Sequence, residues 1–166
     1  MNPVICGCSG SGKSTAIRRI LQAVNEPIYG FWTKKEAPDF DGRAPVYLHP
    51  CRAPLAFSAE NLIGCCTDRH AESFPEVFDT FGVAALRDIP DGALVLMDEI
   101  GVMENKAIQF QQAVFSVLNG SYRVLLAVRD RETPLLDAIR RHEKSLCVSA
   151  QEANTPEFLR RALTLL

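Results

Sequence analysis

Residues 7–15 read Gly-Cys-Ser-Gly-Ser-Gly-Lys-Ser-Thr, directly after the apolar run Val4-Ile5-Cys6 and directly before an amphipathic helical pattern. A glycine-rich turn in that position restricts the fold strongly, because it asks for a strand, a backbone cradle and a helix in fixed succession. Gly7, Gly10 and Gly12 permit positive φ and close approach, so successive N–H groups can converge on an anion. Lys13 adds a cation suited to β and γ phosphates, and Ser14 places a hydroxyl where it can ligate an accompanying magnesium ion. The helix beginning at Lys13 points its positive dipole end at the same anion. On this reading Gly7, Cys8, Ser9, Gly10, Ser11, Gly12, Lys13, Ser14 and Thr15 hold the phosphates of a nucleotide. Ala16, Ile17, Ile20, Leu21 and Val24 share one face of the helix, which seats it on a sheet.

Extended and helical patterns alternate through the rest of the chain, which predicts an α/β layer fold. At 166 residues the chain has the size of one domain, 1–166, and shows no repeat or linker. Strands are expected at 4–6, 28–33, 46–49, 93–97, 124–128 and 146–148. The short strands after the turn residues Pro38, Asp41-Gly42 and Pro45 should form a hairpin or meander beside the main sheet. Ser73 with Glu76 resembles a capping box ahead of a helix near 74–87, on which Phe74, Val77, Phe78, Phe81 and Ala85 form a stripe. Ala107, Phe110, Val114 and Val117 mark a further helix, and Thr133-Pro134 and Thr155-Pro156 open two more.

Ala93-Leu94-Val95-Leu96-Met97 is uninterrupted and apolar, as a central parallel strand buried on both faces requires, and it ends on Asp98-Glu99. Ligands of open parallel sheets sit beyond the carboxyl ends of the strands, the edge where the phosphate loop leaves its own strand. Asp98 can therefore hold magnesium through its waters, while Glu99 orients or deprotonates an attacking water. Phosphoryl transfer also asks for positive charge, from this chain or from a neighbouring subunit. Arg129 is the first candidate, because it follows the strand 124–128 and should emerge at the same edge, with Arg131 close by. Arg43 and Arg69 lie in loops and are weaker candidates, and solvation explains any of the four equally simply.

Lys and Arg number 18 against 20 Asp and Glu, a net charge of −2, so charge offers no case for nucleic acid or an anionic membrane as partner. No apolar run approaches the ~20 residues that span a bilayer, and the N-terminus lacks a charged segment followed by an apolar one. A cytoplasmic location is expected. None of the six cysteines forms a Cys-x-x-Cys pair, and most read as small core residues. His49, Cys51, Cys65, Cys66 and His70 match no common zinc spacing. Cys8 lies within the loop itself, where oxidation would block a nucleotide, although a passive small residue is the plainer reading. Phe31 or Trp32 could stack on a base, yet an aromatic in a buried strand more often belongs to the core.

From Asp98 the chain runs Asp-Glu-Ile-Gly-Val-Met-Glu, and with the loop this segment resembles the P-loop nucleoside-triphosphatase family that includes cancer-related nucleoside-triphosphatase, the THEP type. Gly30-Phe31-Trp32-Thr33 looks like that family's Gly-Phe-aromatic-Thr strand, and Gln112-Ala113-Val114 fits its helix after the acidic motif. The resemblance spans nearly the whole chain. It implies a three-layer P-loop NTPase fold with a RecA-like, mostly parallel sheet and helices on both faces. It also implies magnesium dependence and slow hydrolysis of ATP, GTP and other nucleoside triphosphates to diphosphate and phosphate. Lys13, Glu99 and Arg129 would then be the catalytic residues and Ser14 and Asp98 the metal residues. Glu104 matches a further family acid, as a helix cap or as a contact near the site. Ser14-Thr15 stands where the family often has two threonines, and serine can still ligate magnesium; Val102 stands where the family commonly has lysine, which removes a charge near the γ phosphate, so hydrolysis is expected to be weaker. Two alternatives remain open: a small nucleotide or nucleoside kinase with Arg129-Asp130-Arg131 as lid arginines, and a nucleotide-binding switch whose hydrolysis is incidental. Neither the base preference nor the oligomeric state can be read from these residues.

Overall fold

The computed structural model describes residues 1–67 and 70–166. In chain order the elements are β1 (Asn2–Gly7), α1 (Lys13–Gln22), β2 (Ile28–Lys35), β3 (Ala44–Pro50), β4 (Leu62–Cys66), β5 (Ala71–Ser73), α2 (75–85), β6 (Leu94–Ile100), a 3₁₀ turn (Met103–Lys106), α3 (Ile108–Asn119), β7 (Arg123–Arg129), α4 (Pro134–Arg140), β8 (Ser145–Ser149), α5 (Ala150–Ala153) and α6 (Pro156–Leu165). All eight strands join one sheet in the order β5-β4-β3-β2-β6-β7-β1-β8. The five strands from β2 to β8 in that order are mutually parallel. The expected meander is also present, since β3, β4 and β5 add to the edge of β2 as successive antiparallel strands.

Burial explains the three layers. β6 and β7 carry apolar residues at consecutive positions because both of their faces are covered. On one face Val4, Met97, Leu126 and Val128 pack with α2, α3 and α4 through Phe78, Phe110 and Leu136. On the other, Ile5, Leu96 and Ala127 pack with α1 and α6 through Ile17, Ile20 and Phe158. Removing Ile17 and Ile20 from water stabilises α1 on the sheet by about 1.5–3 kcal/mol each. The helix starts expected at Thr133-Pro134 and Thr155-Pro156 form, and each threonine hydroxyl caps its helix by accepting the N–H three residues on, from Leu136 and Phe158.

The capping box at Ser73 does not form. Ser73 instead ends β5 paired with Gly64, and the helix starts at Pro75 behind an N-cap, Phe74, that offers no side-chain acceptor. Proline at the first helical position fixes its own φ and keeps the preceding residue out of the helical region, which sets the start without the box. Pro45 lies inside β3 rather than in a turn. The helix α5 was not expected, although Ser149 and Glu152 carry its signal, the Ser149 hydroxyl accepting from the Glu152 N–H. Among the described residues no helix is long and apolar enough to cross a membrane.

Parallel strands deliver all their carboxyl ends to one edge. β7 lies between β1 and β6, with Gly7 beside Arg129 and Ile100 beside Val128. The phosphate loop, the acidic pair and Arg129 therefore meet although they are far apart in sequence.

Candidate active site

The loop between β1 and α1 takes its shape from Gly10 and Gly12, at φ +74° and +97°, a region that side chains disfavour. Gly7 has no such φ; it ends β1, and a Cβ there would strike the Ser11 hydroxyl. Residues 9–15 line a cleft of about 360 Å³ together with Thr33, Asp98, Glu99, Gly101 and Arg129. Gly7 and Cys8 serve it through their carbonyls, each 2.8 Å from the Lys13 ammonium.

Lys13 is 4% exposed, and its Nζ also lies 2.9 Å from Glu99 Oε2. The other carboxylate oxygen accepts from Arg129, at 3.0 Å from Nε and 2.8 Å from Nη2. Glu99 thus bridges the loop lysine of one strand and the terminal arginine of another. Its backbone N–H donates to the Thr33 hydroxyl at 3.3 Å, a contact that ties β6 to β2. Nothing in the sequence marks Thr33 as a site residue beyond its place in the Gly-Phe-Trp-Thr strand.

Asp98 faces the start of α1, where its Oδ1 accepts from the Ser14 hydroxyl at 3.5 Å. Burial pushes the Asp98 carboxyl up to about 6, the adjacent Glu99 adds to the rise, and Ser14 and Lys13 pull against it. A hydroxyl and a carboxylate are oxygen donors, the set a hard cation such as magnesium takes.

The profile of the NTPase family matches residues 57–163. The chain belongs to the NTPase family. Its class of reaction is nucleoside-triphosphate hydrolysis. Nucleoside-triphosphatase THEP1 of Aquifex aeolicus (strain VF5) is 24% identical over 183 residues, covering 100% of this chain and 99% of that protein. The crystal structure of THEP1 from Aquifex aeolicus superposes with a TM-score of 0.70 at 19% identity, covering 100% of this chain and 99% of that one. The solution structure of a human cancer-related nucleoside triphosphatase gives 0.68 at 21% identity, over 98% and 95% of the two chains. The NTPase therefore has the P-loop fold that the resemblance implied.

The remaining acid of this NTPase is Glu104, which is 2% exposed and lies in the 3₁₀ turn. Its carboxylate does not cap α3; Oε2 instead accepts the Gly101 N–H at 3.0 Å, just behind Glu99. Burial raises the Glu104 carboxyl to about 7, opposed by the backbone N–H groups it accepts. Val102 and Met103 line the same cleft wall.

Arg43 pairs with Glu72 at 2.8 Å on the exposed meander and is not among the cleft residues. Arg131 is exposed beyond β7 and is not among the cleft residues, and Arg69 lies outside the described residues. Phe31 is fully buried with its ring 5.5 Å from that of Phe110, so it cannot stack on a base. Trp32 faces the opposite side of β2 and stacks 4.4 Å from His49. Among the described residues no three His, Cys, Asp or Glu side chains are placed to share a metal ion. Cys8 is exposed in the loop.

Proposed function

We propose that this cleft binds a nucleoside triphosphate with magnesium and hydrolyses its terminal anhydride, residues 1–166 acting as one catalytic domain. The observation that carries the reading is the position of Glu99: a carboxylate on the cleft wall beyond the phosphate loop, between two cations and beside an acid that faces Ser14. The loop N–H groups and the α1 dipole would hold the phosphates. Ser14 and Asp98 would hold the metal, which when bound would supply positive charge to offset that of the phosphates. Lys13 and Arg129 exchange Glu99 for phosphate oxygens and stabilise the charge that develops as the bridging bond breaks. Glu99, so released, orients the attacking water and accepts its proton.

A panel of nucleoside triphosphates, assayed for phosphate release with and without magnesium in wild-type and Asp98→Asn protein, tests this. Release that needs magnesium and falls at least tenfold in the variant supports the assignment; release indifferent to both refutes it. One observation favours the kinase alternative, namely that the cleft continues past Glu99 to Val46, Ile63 and Cys66, more room than a water needs. Label moving from the γ position to an added nucleoside, rather than to water, would establish it.

A further inference from the structure

We propose that Asn154 is a positioning residue for the phosphate loop, holding the Gly12–Lys13 peptide so that the Lys13 N–H points into the anion cradle. Asn154 follows α5, the short helix that leaves β8, the strand that flanks β1 on the side away from Glu99. Its side-chain amide donates to the Gly12 carbonyl at 3.1 Å and to the Ala150 carbonyl at 2.8 Å. Both partners are acceptors, so only the NH₂ end of the amide can face them. The same Gly12 carbonyl takes the first helical bond of α1, from the Ala16 N–H at 3.0 Å. Arg19 of α1 also holds this segment, donating to the backbone carbonyl of Asn154 at 3.2 Å.

The physical need lies at Gly12. Glycine at φ +97° gives the backbone freedom to adopt the cradle but supplies no side-chain wall to keep it there. A planar trans peptide points its C=O and N–H in opposite directions, so a donor that fixes the Gly12 oxygen from outside also fixes the direction of the Lys13 N–H inside. The helix bond from Ala16 sits at a terminus, where bonds fray, and Asn154 supplies the second hold. Held in this way, the loop meets phosphate without having to order itself first.

The test uses the full chain with Asn154→Leu, near in size without a donor, and Asn154→Asp, the same shape with an oxygen facing two carbonyls. KM and kcat for ATP, equilibrium binding of a non-hydrolysable ATP analogue, and Tm are measured for each. The expected result is analogue binding and KM weakened about tenfold in the leucine variant and more in the aspartate variant, with kcat within about threefold. A contact that serves folding alone lowers Tm and leaves binding by the folded protein intact. Binding within twofold of wild type in either folded variant overturns the proposal, and the aspartate variant, which keeps the turn preference of asparagine, answers where the leucine variant fails to fold. The proposal rests on the loop as a triphosphate site, and the two fail differently: wild-type protein that binds no analogue refutes that reading, whereas wild type and variants binding equally refute only this one.

Discussion

Replacing Glu99 by glutamine keeps the shape of the side chain and removes its charge, and binding and turnover should respond in opposite directions. In the native site Lys13 lies 2.9 Å from Glu99, with the two side chains 4% and 21% exposed. A hydrogen bond to a charged partner in such surroundings contributes about 1.5–3 kcal/mol. The Arg129 contact counts for less, because that side chain is 34% exposed and screened by solvent. A triphosphate must draw Lys13 from this partner, so Glu99→Gln lowers the cost of binding and should tighten affinity by roughly ten- to a hundredfold. The same change removes the carboxylate proposed to accept the water's proton, a loss worth about 10²- to 10⁴-fold in kcat. Equilibrium binding of a non-hydrolysable triphosphate, measured beside steady-state phosphate release in excess magnesium, reads both effects. Turnover within threefold of wild type would refute Glu99 as the water-activating residue. Turnover and affinity falling together would show instead that the carboxylate holds the site's architecture.

Three further outcomes are expected. Glu104 has its pKa raised from the ordinary 4.5 to about 7, so the folded state retains a proton that the unfolded chain releases, and stability should fall by up to about 3 kcal/mol as pH rises between those values. Tm followed from pH 4.5 to 7.5 should accordingly flatten in Glu104→Gln, and parallel curves for the two proteins would refute this. Gly30 sits at φ +85° in β2, and a Cβ there would collide with the Leu96 carbonyl of β6. Gly30→Ala should cost at least ~2 kcal/mol in urea unfolding, and a cost below 0.5 kcal/mol would refute the packing argument. Arg43→Ala removes an exposed pair, so kcat should be unchanged and stability should shift by less than about 1 kcal/mol, whereas a tenfold loss of activity would return Arg43 to the site.

The local elements were legible because each repeats its own period or carries its own end signal. The strand-loop-helix at residues 2–22, the apolar run of β6 and the threonine caps at Thr133 and Thr155 all form where the residues indicate. The family motifs likewise lie in the segments expected to carry phosphate and acid chemistry. Where a local signal met a tertiary constraint, the constraint won: Ser73 pairs with Gly64 in a strand instead of capping a helix.

Strand order was decided only in three dimensions. A hydrophobic run indicates that a strand is buried, but not that β7 separates β1 from β6, and that arrangement brings Arg129 to Glu99 and Glu99 to Lys13. Sheet face was decided the same way, with Phe31 turned into the core on one face and Trp32 packed against the core on the other. Thr33 reaches Glu99 across 66 residues of sequence, and Asn154 reaches Gly12 across 142. Hydrogen bonds within a helix turn depend on neighbours a few residues away and leave their trace in the local pattern. Contacts across such separations depend on which strand docks beside which, a free-energy difference summed over the whole sheet and carried by no single segment.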